Sequence, residues 1–181
     1  MNGPILKGKK VILKPMELCD APNFVKWFKD KEVTKFLSSN FKNFTLDKEI
    51  KFLKDTQKDQ KRIFWFIYTE DKKVIGNTEI RLDKENRIAN FGIVIGDKDY
   101  WNQGLGQDTL KTVMKYCFNT LKLNRFELLV FSKNIGGLKC YTNCGLRLEG
   151  TKRQCIYRNG KYFDEIIMSL LKGEYKKIKN K

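Results

Sequence analysis

Apolar and polar positions along this chain change rhythm repeatedly, and each change marks a switch of element. Arg62 to Glu70 carries the longest apolar run, Ile63-Phe64-Trp65-Phe66-Ile67-Tyr68, and reads as a strand. Asp71-Lys72-Lys73 turns it into a second strand, Val74 to Leu82, and Asp83 to Asn86 into a third, Arg87 to Gly96. Three strands joined by short turns predict an antiparallel meander. Leu110, Val113, Met114, Cys117, Phe118 and Leu121 then recur at helical spacing, predicting a helix from about Gly106 to Leu121.

The flanks follow the same logic. Val11-Ile12-Leu13 with Pro15-Met16 predicts a first strand. Asp20 as N-cap and Pro22 in the first turn open a short helix with Phe24, Val25, Trp27 and Phe28 on its apolar face. Thr45 caps a second helix carrying Ile50, Phe52 and Leu53. After the long helix, Arg125 to Val130 reads as a buried strand, and Asn134 leads a short helix ending at Gly145. Leu148 to Tyr157 and Tyr162 to Leu171 flank Arg158-Asn159-Gly160-Lys161, a strong hairpin signal. The strand-helix-strand passage over 87 to 130 is long enough to pair its two strands in parallel.

Composition narrows the class. The chain has 181 residues and 41% apolar content, enough for one domain with a substantial core. No apolar run approaches the roughly 20 residues of a membrane helix, and no apolar signal core follows Met1-Asn2-Gly3-Pro4. A cytoplasmic protein is expected. Cys19, Cys117, Cys140, Cys144 and Cys155 show no Cys-x-x-Cys spacing and are expected as small buried hydrophobes in a reducing compartment. The absence of histidine removes His bases, His-based nucleophile triads and His ligands, and no metal site is expected.

Thirty-seven basic against 21 acidic residues give a net charge of +16. Such a surface attracts polyanions, so ribosome or RNA association stands beside the simpler alternative of a lysine-rich proteome. The end, Lys176-Lys177-Ile178-Lys179-Asn180-Lys181, reads as a frayed basic tail.

The densest chemical signal is Tyr100-Trp101-Asn102-Gln103-Gly104-Leu105-Gly106-Gln107, between a strand and the long helix. The first N–H groups of a helix lack intrahelical partners and carry partial positive charge, so a glycine-relieved helix start can bind phosphate. A dinucleotide fingerprint would place a third glycine where Thr109 stands, and a P-loop would end in Gly-Lys-Ser/Thr, which is missing. A plain tight turn before a helix remains the alternative.

Trp101 to Gly106 resembles the acetyl-CoA pyrophosphate loop of the GNAT N-acetyltransferases, Arg/Gln-x-x-Gly-x-Gly/Ala. Trp at the first position is similar to the RimJ/RimL-type branch, which acetylates ribosomal-protein N-termini. Further marks resemble that branch: Leu13-Lys14-Pro15 with Asp20, Trp27 to Val33, Asn134 with Tyr141-x-x-Cys144-Gly145-Leu146, Glu149-Gly150, and the Asn159-Gly160 turn. The resemblance covers nearly the whole chain. It implies an α+β GNAT fold, a mixed, mostly antiparallel sheet of about seven strands with a central splayed parallel pair and about four helices. It implies one acetyltransferase domain over 1–172, with 173–181 as the tail.

The resemblance also implies a site. Acetyl-CoA lies in the splay, its pantetheine along Ile93, Val94 and Ile95 and its pyrophosphate on the amides of Asn102, Gln103, Gly104, Leu105, Gly106 and Gln107. Asn134 holds the pantetheine side, or simply caps its helix. Tyr141 matches the family's general acid, the alternative being a packed core tyrosine. Where many relatives carry a glutamate base, this chain has Asn90, which can hold a water but not take a proton. Glu79 on the neighbouring strand is a substitute base, or an exposed carboxylate paired with a lysine. A backbone N–H near Val94 would hold the oxyanion.

The implied reaction is acetyl transfer to a primary amine by direct attack. A weak base favours an amine of pKa about 8, such as a peptide N-terminus, over one near about 10.4. The positive surface also disfavours polycations. Two other classes stay open: a ribosome- or RNA-associated protein, and a non-catalytic acyl-CoA-binding module. The chain is expected as a monomer or homodimer.

Overall fold

The computed structural model describes residues 3–37 and 44–179. Its strands are β1 (Leu6–Lys7), β2 (Val11–Pro15), β3 (Arg62–Thr69), β4 (Val74–Asp83), β5 (Ile88–Ile95), β6 (Arg125–Phe131), β7 (Arg147–Arg158) and β8 (Lys161–Leu171). Its helices are α1 (Ala21–Lys29), α2 (Lys31–Thr34), α3 (Leu46–Lys58), α4 (Leu105–Lys115), α5 (Ile135–Asn143) and α6 (Lys172–Lys179). The eight strands form one sheet in the order β1-β2-β3-β4-β5-β6-β8-β7. β3, β4 and β5 are the expected antiparallel meander, and β5 and β6 pair in parallel.

Period-two alternation divides the core. Ile63, Trp65 and Ile67 of β3 point to one face with Ile75, Ile80, Phe91 and Phe126, where Leu110, Val113, Met114 and Cys117 of the long helix cover them. Phe64, Phe66 and Tyr68 point to the other, under Phe24 and Trp27 of α1 and Leu53 of α3. Apolar side chains thus fill both faces of β3, which is why that strand shows no alternation in the sequence.

Several elements depart from expectation. β1 and α2 are additions too short for periodicity to signal. The long helix stays α-helical to Lys115 and widens into a π turn over Tyr116–Thr120. Asp20 precedes α1 but makes no side-chain cap; its carboxylate accepts from the Tyr68 hydroxyl instead. The basic end is not frayed through Lys179: it forms α6, Tyr175 stacks on Phe118 at 4.7 Å, and Ile178 packs against Gly145. Asn180 and Lys181 lie outside the described residues. Cys19 and Cys155 are exposed, so only part of the cysteine set is buried, and all five are free thiols.

Candidate active site

The site grows from the divergence of β5 and β6. Their parallel pairing covers Ile88 to Asn90, opposite Arg125 to Glu127, and stops there. Beyond Asn90 the strands part, leaving a gap with β5 as one wall. The phase of β5 decides what faces it. Gly96 N–H donates to Ile75 O at 2.8 Å, and the β4–β5 register is unbroken. Antiparallel pairs alternate, so Gly92 and Val94 also spend their backbone groups on β4. Phe91, Ile93 and Ile95 turn theirs to the gap. Arg87 O accepts from Asn124 and Arg125 N–H, and Ile95 O accepts from the Trp101 indole at 2.8 Å, which fixes the same phase at both ends. The N–H expected near Val94 for an oxyanion is therefore committed to Asn77, and the open edge belongs to Ile93 and Ile95.

At the top of the gap the chain turns into α4. Asn102 (φ 60°) and Gly104 (φ 78°) are both left-handed, the conformation glycine adopts without strain. Asp108 N–H makes the first bond of the helix, to Gly104 O at 3.0 Å. Among the described residues, the amides of Asn102 to Gln107 donate to no backbone group. Lys10 reaches in from the β1–β2 turn, its ammonium 3.0 Å from Gln103 O. Its position is set from below, where Asp108 accepts from Lys10 N–H and Val11 N–H at 2.7 and 3.2 Å. Unpaired amides, a helix dipole and one ammonium are the groups an anion would use here.

A cleft of about 1000 Å³ joins the loop to the gap. Glu79, Asn90, Ile93, Val94, Ile95, Asn102, Gly104, Leu105, Gly106, Gln107, Asn134 and Tyr141 all line it. Gln103 does not; its side chain turns back to donate to Asp99 O at 2.7 Å. Asn134 caps α5, its Oδ1 accepting from Gly137 N–H at 3.0 Å. Tyr141 stands one residue past Cys140 on α5, and burial, with Cys140 and Cys144 nearby, pushes its phenol well above the usual range. It therefore holds its proton at neutral pH.

Glu79 is not paired with a lysine. Arg62 grips it from β3, Nε at 2.8 Å from Oε2 and Nη2 at 3.1 Å from Oε1. Arg81 stands 3.9 Å from the same carboxylate with 64% of its side chain exposed. Asn77, Glu79 and Arg81 share one face of β4, opposite Val94, Gly92 and Asn90 of β5. Asn77 holds a buried Oδ1 that no donor reaches among the described residues. Sequence reading singled out Glu79 and passed over Asn77, Arg62 and Arg81. The signal was present: polar residues at every second position of a strand share a face. Among the described residues, no three His, Cys, Asp or Glu gather as a metal site.

Comparison with known proteins gives a family match: the acetyltransferase (GNAT) domain model covers residues 10–147. The chain is similar to an uncharacterized N-acetyltransferase, p20, of Bacillus licheniformis, at 29% identity over 94% of this chain and 97% of that one. It is also similar to the L-amino acid N-acetyltransferase AaaT of Escherichia coli, 32% identical over 56% of this chain and 64% of that protein. Among solved structures, the spermidine N-acetyltransferase of Vibrio cholerae, in complex with CoA and spermine, superimposes with a TM-score of 0.85 at 20% identity, covering 91% of this chain and 97% of that one.

Proposed function

The chain belongs to the GNAT acetyltransferase family, and from that premise we propose that it moves an acetyl group from acetyl-CoA to a primary amine, by direct attack within a ternary complex. One observation carries this most: the unbonded amides of Asn102 to Gln107 stand at the head of an open strand edge. A pyrophosphate needs clustered donors, and a pantetheine arm carries amides that can pair with a strand edge. The residues present fit both needs.

In this reading the amides of Asn102 to Gln107 hold the pyrophosphate, and Lys10 adds its charge. Ile93 and Ile95 pair with the pantetheine, and Asn134 borders it. Trp101, at the position that suggests a RimJ/RimL-type branch, uses its indole N–H on Ile95 O and so braces the loop against the strand. Acetyl-CoA supplies an activated thioester. Tyr141 Oη, kept protonated by burial, gives its proton to the departing thiolate. The Ile93 N–H edge stabilises the developing oxyanion. Asn90 positions a water that carries away the amine's proton, since both Glu79 oxygens are held by Arg62.

The acceptor is a peptide N-terminus or a small-molecule amine, whose lower pKa makes the neutral form available without a strong base. The setting is cytoplasmic, with the chain a monomer or homodimer and ribosome association an open partner. A second reading, acyl-CoA binding without catalysis, is favoured by the absence of a carboxylate at Asn90 and the engagement of Glu79. Calorimetry with acetyl-CoA, followed by thiol release against peptide N-termini, amino acids, amino sugars and polyamines, separates the two. Binding with no thiol released from any acceptor supports the second; no binding refutes both.

A further inference from the structure

The acceptor end of the cleft is unevenly charged. Its lining carries Glu32 and Glu79 against Lys35, Arg62 and Arg81. Both carboxylates are engaged, Glu79 by Arg62 at 2.8 Å and Glu32 by Lys98 at 3.0 Å. Arg81 is left mostly exposed at the 3.9 Å limit of an ion pair, while Lys35 places its ammonium over the Phe36 ring at 5.1 Å. A polyamine entering here would meet excess positive charge, whereas an anionic group would find a fork-shaped donor made for a carboxylate.

The positions along β4 make this specific. Glu79 lies opposite Gly92, just past the point where β5 and β6 part. Gly92 presents no side chain there, and Glu79 Cγ is 3.5 Å from where a Cβ would stand. In the transferase reading, a thioester lying in the gap would reach this level. Asn77 lies on one side of it, with a buried Oδ1 lacking a donor, and Arg81 on the other.

We propose that the acceptor is an amino-carboxylate, a free amino acid or close analogue, whose carboxylate is held by Arg81 and whose amine lies toward the Asn77 end of the same strand face. This rests on the transferase reading and narrows it. A protein N-terminus fits less well, because an amide replaces the carboxylate beside its amine. Arg81 is a specificity residue, not a catalytic one.

The test uses the purified full chain with acetyl-CoA, measuring thiol release. The acceptors are a set of amino acids, the matching amino amides, the matching decarboxylated amines, short peptides and spermidine. The expected result is a preference of about tenfold or more in kcat/KM for the free carboxylate, the worth of one charge-assisted contact. Arg81→Gln should raise KM for amino acids by a similar factor and erase that preference. The Kd for acetyl-CoA, by calorimetry, should stay unchanged. Arg81→Lys should restore part of the preference, since charge returns without the fork. Preference for amides, peptides or spermidine overturns the proposal while leaving the transferase reading intact. So does a preference that survives Arg81→Gln. Absence of thiol release with every acceptor overturns both.

Discussion

Two glycines two residues apart should respond to alanine with opposite signs. Gly104 sits at φ 78° and an added Cβ would meet nothing closer than Lys10 Nζ at 3.8 Å, so the penalty is purely conformational. A left-handed L-residue costs roughly 1–2 kcal/mol. For a chain of this length each kcal/mol moves Tm by about 2–4 °C, so Gly104→Ala should melt about 2–8 °C lower. Gly106 lies inside the first turn of α4, and its Cβ would make ordinary contacts with Ile95 Cγ1 at 3.9 Å and Ile93 Cδ1 at 4.0 Å. Alanine there gains roughly 0.5–1 kcal/mol of helix preference, and Tm should rise by about 1–4 °C. Those same contacts show that position 106 faces the gap, so Gly106→Leu should fill it. Thermal melts without ligand test the two alanines. A second melt with acetyl-CoA at a hundred times its Kd, worth about 2.7 kcal/mol of stabilisation, tests the leucine. The wild type should gain several degrees and Gly106→Leu none. Alanine shifts of the same sign would refute the backbone argument, and an undiminished acetyl-CoA shift in Gly106→Leu would remove the anion site from this loop.

Other perturbations probe the rest of the cleft. Tyr141→Phe should lower kcat by about 10²–10⁴-fold with little change in acetyl-CoA affinity or Tm; wild-type turnover would make the tyrosine a packing residue. Asn77→Leu should raise stability by about 1 kcal/mol, because it removes the orphaned Oδ1; a urea midpoint that falls would show that the oxygen has a partner. Glu49 is buried on α3, and desolvation raises its carboxyl from 4.5 to about 7. Between those values the folded chain keeps a proton that the unfolded chain has lost, so stability should fall as pH rises through that window and level off above it. Glu49→Gln should flatten the profile, and an unchanged slope in urea midpoints would assign it to another group.

Local signals carried much of the fold because they act over a few residues. The helical spacing from Leu110 to Phe118, the Thr45 cap and the Asn159-Gly160 turn each predicted an element that the structure contains. What stayed hidden depends on partners distant in sequence. Asp108 meets Lys10 across 98 positions, and Arg62 meets Glu79 across 17. Asp20 looked like a cap because Asp before Pro22 usually is one; a buried tyrosine hydroxyl from β3 competes for the same carboxylate and takes it. The helix α6 was hidden by its lysines, since its apolar anchors are Tyr175 and Ile178, and their targets, Phe118 and Gly145, lie far upstream, as does Arg147, which pairs with Glu174 at 2.8 Å.

The phase of β5 was beyond reach for a different reason. Sequence alternation assigns side chains to faces but says nothing of which neighbour each backbone group serves. That choice shows in bonds to partners elsewhere in the chain, such as Gly96 N–H to Ile75 O and Asn124 N–H to Arg87 O. It follows that Gly76, whose added Cβ would lie 2.1 Å from Val94 O, is as much a part of the site as the loop glycines. It lets β4 and β5 approach closely enough to hold Val94 and leave Ile93 and the Ile95 N–H open. Trp101 then takes Ile95 O, so the loop and the strand edge are tied by one hydrogen bond of 2.8 Å. An indole donor used this way is withdrawn from any phosphate, so the proposed anion binding would fall to the backbone amides and to Lys10, where the general family pattern places an Arg or Gln side chain. The departure at position 101 and the ammonium at position 10 are two sides of one arrangement.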